Sequence, residues 1–328
     1  MYFTARPWRY AVVIGLCAAG EAAAQQAAPQ QPGVQQAIDQ QTAQQPAAPA
    51  AQQPAPPIAP QIPNGFQLNP LQQAALDAVL TSWQANSAGI TTFQCKFERW
   101  EYDPVFGPQG NVPLYKNKGE VTYNKPDKGS FQITETNKWQ AQPAAPGQPA
   151  NAPQAGNWVL QPDVIGDHWV CDGKSVYQYR PDLKQLVEHP IPPQLQGQGI
   201  VDGPLPFLFG ADAAKLKERY WMKLDQQQNQ DPTQIWLVAL PKFQAQAADM
   251  SEVDIILDAK MLLPLYMQVW MPNRSHHTYI FDIKNAGVNN PLARIQALFS
   301  RPSVPFGWKL VVENIPLQQA AQPKPAPK

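Results

Sequence analysis

Four histidines are the first residues to weigh, because imidazole is the side chain best suited to proton transfer or metal binding near neutral pH. They are His168, His189, His276 and His277. The last two are neighbours in an extended-looking run, so their rings point to opposite faces of a strand and do not converge on one metal. Gly173-Lys174-Ser175 has the letters that end a phosphate-binding loop. The first glycine of that motif would fall at His168, and no helical pattern follows, so no phosphate cradle is expected. No Gly-x-Ser-x-Gly elbow is present. Asp254 and Asp258 fall on one face of a strand pattern and read as its solvated side. The expectation is a protein without catalytic residues, metal or cofactor, and thus one that binds rather than converts.

The elements that would position such a site are mostly strands. Asn69-Pro70 has the form of a helix start, a capping side chain followed by proline in the first turn. Leu76, Val79, Leu80 and Trp83 then share one helical face. Phe93, Cys95 and Phe97 alternate with polar residues. The apolar phase then moves to Trp100 and Tyr102, which predicts a β-bulge. Further strands are expected around Gly119–Tyr123 and Phe131–Ile133, on either side of Asp172-Gly173, and over Gln185–Ile191. After a short helical run at Ala211–Arg219 they resume at Tyr220–Leu224, Ile235–Leu240, Val253–Leu257, Leu263–Met271, His276–Ile283 and Trp308–Glu313. Asp-Gly between two β-prone runs is a hairpin signal, because glycine readily takes positive φ. About ten locally connected strands and two helical segments predict an antiparallel α+β domain.

Composition limits the rest. The chain has 328 residues and zero formal net charge, so no basic field points to nucleic acid. Residues 1–24 read as a signal peptide, with Arg6 and Arg9 before an apolar run at Tyr10–Gly20 and small residues Ala22-Ala23-Ala24 before Gln25. Leu16 before Cys17 is bulky where a lipidation site wants a small residue. Residues 25–65 are dominated by Gln, Ala and Pro and read as a disordered linker. The folded domain is expected over 66–316, interrupted by a disordered insertion at 140–156 and followed by a disordered tail at 317–328. The remaining cysteines, Cys95 and Cys171, are either a disulfide of an exported protein or two small buried residues.

The order of these features resembles the periplasmic lipoprotein carriers, the LolA/LolB-like proteins. Gly119 to Pro126 matches that family's Gly-x-x-x-x-x-(Lys/Arg)-Pro turn, with Phe131 as the aromatic after it. Asp172, Gly173, Lys174, Tyr179, Pro181 and Gln185 match its Asp-Gly-Lys hairpin, and Pro206-Phe207-Leu208-Phe209 stands where the family has a lid. Phe299 to Gly307 fits its ending, and the likeness spans roughly Pro70 to Val312. The Gln/Pro-rich leader, the GPLPFLFG block and the PFGW ending are, more narrowly, similar to a planctomycete-type family of exported proteins assigned to this fold.

The resemblance implies a curved antiparallel sheet, an incomplete β-barrel lidded by an N-terminal helix and a short central helix, around an apolar cavity. It implies an exported monomer in the periplasm or cell envelope that binds lipid or lipoprotein acyl chains and meets membrane-associated donors or acceptors. Phe93, Phe97, Val121, Tyr123, Phe131, Ile133, Tyr177 and Tyr179 are the candidate lining, and Lys125, Leu205, Phe207, Leu208 and Phe209 the candidate lid. The carriers latch the lid with arginine where this chain has Lys125, which lacks the planar fork. The alternative is a non-catalytic structural or interaction module of the envelope whose interior is a filled core.

Overall fold

A computed structural model of the chain describes residues 61–108, 111–142, 155–193, 196–197, 212–225, 231–290 and 299–313. The expected signal peptide, most of the expected linker, the middle of the expected insertion, the candidate lid residues Leu205 to Phe209 and the expected tail lie outside the described residues. Helix α1 (Pro70–Ala88) starts where its sequence predicts. The Asn69 side chain accepts the Gln72 backbone N–H at 2.9 Å, and the Gln72 side chain accepts that of Asn69 at 3.0 Å. This reciprocal capping box satisfies donors that a helix start otherwise leaves open.

Among the described residues, fourteen strands form a single curved sheet that does not close. They are β1 (Thr92–Tyr102), β2 (Tyr115–Asn124), β3 (Lys128–Ala141), β4 (Gly156–Leu160), β5 (His168–Asp172), β6 (Ser175–Arg180), β7 (Gln185–Pro190), β8 (Tyr220–Leu224), β9 (Gln234–Pro241), β10 (Glu252–Asp258), β11 (Pro264–Trp270), β12 (His276–Phe281), β13 (Gly287–Val288) and β14 (Lys309–Val312). The order is β14-β7-β6-β5-β3-β2-β1-β12-β11-β10-β9-β8, with β4 paired to β3 and β13 to β1. β1 is the seam: its one edge pairs with β2 and its other with β12. Short helices α2 (Ala213–Arg219) and α3 (Gln244–Ala247) flank β8 and β9. The chain is an α+β open barrel of the expected class.

Residues directly opposite in a ladder share a face. One face carries Phe93, Cys95 and Phe97 of β1, Val121 of β2, Ile133 of β3, Met267 of β11 and Phe281 of β12. These residues pack with Leu76, Leu80 and Trp83 of α1 and Leu216 of α2 into one apolar cluster. That is the inner face. α1 is held on it at its far end, where Lys125 Nζ donates to the Ala88 carbonyl at 3.0 Å and Asn289 Nδ2 to that of Gly89 at 2.8 Å. A cation there also complements the helix dipole.

Four features differ from the sequence-based expectation. β1 has no bulge: its register with β2 and β12 runs unbroken through Trp100, so Arg99 and Glu101 continue the inward row of Phe93, Cys95 and Phe97. The shift of register lies instead between β2 and β3, beside Gly119. The ends of the expected insertion are strand, with Gln140 opposite Asn157 and Ala141 opposite Gly156. Their pairing satisfies backbone groups that a loop would leave to water. One ladder is parallel, β14 on β7. The hairpin at Asp172-Gly173 is present: Gly173 has φ +89°, and Asp172 Oδ1 accepts from the Lys174 and Ser175 amides at 2.7 and 2.8 Å.

Cys95 and Cys171 are both free and buried. They sit on β1 and β5 with β2 and β3 between them. Three strand spacings of about 4.8 Å exceed the reach of a disulfide, about 7 Å between Cα atoms. Burial pushes the Cys95 thiol up to about 12 and the Cys171 thiol up to about 11.

Candidate functional site

The inner wall has an apolar part and a polar part. Phe97 stacks on Phe131 with centroids 4.9 Å apart and lies 6.0 Å from both Tyr279 and Phe281. Gly119, opposite Phe97 on β2, makes this possible. A Cβ there would come within 2.4 Å of Phe97 Cζ, so only glycine lets the ring lie across the strand. Phe97 is 3% exposed, whereas Tyr123 and Phe131 beside it are half-buried. The aromatic wall thus grades from packed core to accessible surface.

One step along the same row the chemistry changes. Arg99 donates from Nη2 to Glu101 Oε1 and from Nη1 to Asp167 Oδ2, each at 2.6 Å. Asn117 Nδ2 also donates to Glu101 Oε1, at 2.6 Å, and His277 Nε2 lies 3.7 Å from Glu101 Oε2. Burial opposes the charge of Arg99, but the Glu101 and Asp167 carboxylates outweigh it and hold the guanidinium above its ordinary value. Burial raises the Tyr279 phenol. Arg99 is thereby paired with two carboxylates. No group of three His, Cys, Asp or Glu side chains placed to hold a metal occurs among the described residues.

Asp167 comes from the strap between β4 and β5. This strap spans the stretch of β3 that neither strand pairs: Gln161 N donates to the Thr136 carbonyl and Ile133 N to that of Asp167, both at 2.8 Å. Gly166 lies against the Ile133 side chain, where a Cβ would come within 2.4 Å of Cγ2. The strap therefore crosses the inner face, and it exposes Val164 and Ile165.

His277 makes this cluster pH-sensitive. Burial drives its imidazole down to about 4, against the pull of Glu101 and Asp167 and with the push of Arg99 and His276. The unfolded chain takes up that proton near the ordinary value of about 6.5. Between these values the unfolded state binds more protons, so stability falls as the pH drops from about 6.5 to about 4, by on the order of 3 kcal/mol. Urea titrations across that range should show the decline, and His277→Gln should flatten it. An equally steep decline in His277→Gln would place the effect elsewhere.

Of the eight candidate lining residues, Phe93, Phe97, Val121, Tyr123, Phe131 and Ile133 lie together in or against the inner cluster. Tyr177 and Tyr179 do not join them. Phe131 pairs with Trp169 and Val170 with Tyr177, so the two tyrosines are on the opposite face. There Tyr177 packs with Val170 and Leu186, and Tyr179 stacks on His168 at 4.2 Å. Lys125 is bonded to the end of α1; Leu205, Phe207, Leu208 and Phe209 are outside the described residues. Sequence reasoning missed Arg99, Glu101, Asn117 and Asp167, and it weighed His277 without linking it to them. The signal available was that Arg99 and Glu101 hold the odd positions of β1 without a break.

No protein-family model matches the chain, and no curated protein does. Among solved structures it is similar to an uncharacterized conserved protein from Thermus thermophilus, with 11% identity and a TM-score of 0.38 over 74% of this chain and 100% of that one. A LolA superfamily protein from Nitrosomonas europaea is similar at 10% identity and a TM-score of 0.30, over 68% of this chain and 97% of that one. MucB of Pseudomonas aeruginosa, solved in complex with MucA, gives 12% identity and a TM-score of 0.31 over 70% of this chain and 64% of that one. These are likenesses, and the reading that follows rests on the chain's own residues.

Proposed function

We propose that this chain is an exported binding protein of the cell envelope that takes an apolar ligand, a lipid or lipoprotein acyl chain, against the inner wall of its open barrel. The observation that carries this reading is the gradation along the wall, where buried Phe97 stacks on half-buried Phe131. An acyl chain laid on that surface gains about 0.8 kcal/mol for each methylene it buries. Full burial of a long chain would hold it too tightly for exchange with a membrane-associated donor or acceptor, so burial on the wall is partial. The segment Met1 to Ala24 supports export.

The test is native mass spectrometry of the full-length mature chain, followed by titration with a fluorescent fatty acid. Co-purifying lipid, or saturable uptake weakened about tenfold in Phe131→Asp and in Phe207→Asp, is the expected result. Protein that carries no lipid and ignores both fatty acid and lipopeptide would overturn the reading. That outcome favours the second one, a non-catalytic envelope module with a filled core. Its support is that Phe93, Phe97, Val121 and Ile133 are no more than 5% exposed and already packed by protein.

A further inference from the structure

The outer face of the same sheet holds a cleft of about 310 Å³ that the apolar-ligand reading does not use. Register builds it. Across β1, β12 and β11 the outward positions form three rows: Tyr102–His276–Trp270, Trp100–Thr278–Gln268 and Glu98–Ile280–Tyr266. The central position is Thr278, a short side chain only 4% exposed. Larger side chains surround it, so the depression follows from one small residue among aromatics. Its size falls within the range of small-molecule sites, roughly 300–1,000 Å³.

The walls are held in place before any ligand arrives. His276 is sandwiched, 4.3 Å from the Tyr102 ring and 4.2 Å from that of Trp270. Trp270 Nε1 donates to Asp254 at 2.9 Å, and Trp100 Nε1 to Glu98 at 3.0 Å. Lys116 lies over the Trp100 ring at 4.5 Å and over Trp158 at 3.7 Å. The polar part is neutral. Gln268 Oε1 accepts the Tyr266 and Thr278 hydroxyls, which leaves its amide Nε2 without a partner among the described residues. Burial lowers the His276 imidazole, so that ring is uncharged at neutral pH.

We infer that this cleft binds an uncharged saccharide. A sugar ring has an apolar face of C–H groups, which lies well on aromatic rings, and a rim of hydroxyls that bond to amides and hydroxyls. Aromatic walls around two amides, Asn111 and Gln268, and the hydroxyls of Tyr102, Tyr266 and Thr278 match both halves. Among the lining residues no cation is present to draw an acidic ligand, and the Asp254 carboxylate, opposite Gln268 in the same row, accepts the Trp270 indole N–H. The site is on the opposite face from the apolar wall and stands independently of it.

The test titrates the full-length mature chain with cellotetraose, maltotetraose and chitotetraose up to about 10 mM, a range suited to single-ring recognition. Indole N–H resonances and tryptophan fluorescence are the readouts. At least one of these sugars should shift the indole signals saturably. Binding should weaken about tenfold in Gln268→Ala and in Trp100→Ala and remain unchanged in Phe131→Asp. Gln268 is a rim amide, so that variant serves if Trp100→Ala does not fold. No saturable response to any of the three, or a response that survives Gln268→Ala unchanged, overturns the inference. Loss of fatty-acid binding alone would bear only on the inner wall.

Discussion

Arg99→Met should destabilise the chain by about 3 kcal/mol, measured as a lowered urea midpoint at pH 7. The guanidinium is the positive group between Glu101 and Asp167, and its side chain is 9% exposed. Removing it strips Glu101 of its charged donor and places two carboxylates on one patch of the inner wall. Complete burial of both would put the cost nearer the top of the range for a broken buried pair, about 3–5 kcal/mol. Asp167 is 45% exposed and rehydrates, which sets the estimate at the lower end. Arg99→Lys should rescue little, because one ammonium cannot span both carboxylates with the planar geometry that the fork supplies. A triple variant with Arg99→Met, Glu101→Leu and Asp167→Leu should recover most of the loss, since the cost comes from stranded charge. Wild-type stability in Arg99→Met would show that the carboxylates reach water without it.

Trp83→Ala is expected to cost about 3–5 kcal/mol, while Trp83→Phe should stay within about 1 kcal/mol of wild type. Trp83 is 1% exposed and sits at the centre of the helix-to-sheet packing with Leu76 and Leu80. Alanine opens a cavity under α1 that the rigid sheet cannot collapse to fill. Phenylalanine keeps most of the ring. It also removes an indole N–H that has no hydrogen-bond partner among the described residues, so part of the lost packing is offset by a donor no longer stranded. If Phe cost as much as Ala, that N–H would be bonded after all.

Sequence and structure part company on β1. Up to Phe97 the alternation of apolar and polar residues told the inner face correctly. From Glu98 onward the apolar residues change phase, and the usual reading of that change is an extra residue in the strand. The strand instead stays in phase while its two environments exchange character: charge goes inside at Arg99 and Glu101, aromatic rings go outside at Trp100 and Tyr102. Hydrophobicity alone cannot separate a slip from an exchange, because a buried ion cluster needs partners from elsewhere in the chain. Here these partners are Asn117, Asp167 and His277. Asp167 arrives from a strap whose position no local pattern encodes. By contrast, the start of α1, the Asp172-Gly173 hairpin and the strand at Tyr220–Leu224 depend on local capping, turn chemistry and alternation, and all were legible. Tyr177 and Tyr179 are a case between. Their common face was evident, but its relation to the Phe131 face follows from the β3–β5 register.

The seam at β1 bears on how the chain comes to be folded. β2 to β7 and β8 to β12 are each chains of near neighbours, and these ladders can form as their residues become available. The second edge of β1 must wait for β12, which emerges only after most of the domain. Contacts that join distant parts of a chain form slowly, because loop closure comes before any reward. Until then the apolar face of α1 has only half of its sheet to settle on. A chain arranged in this way stays loosely gathered while its early ladders form, and it locks when its later strands arrive.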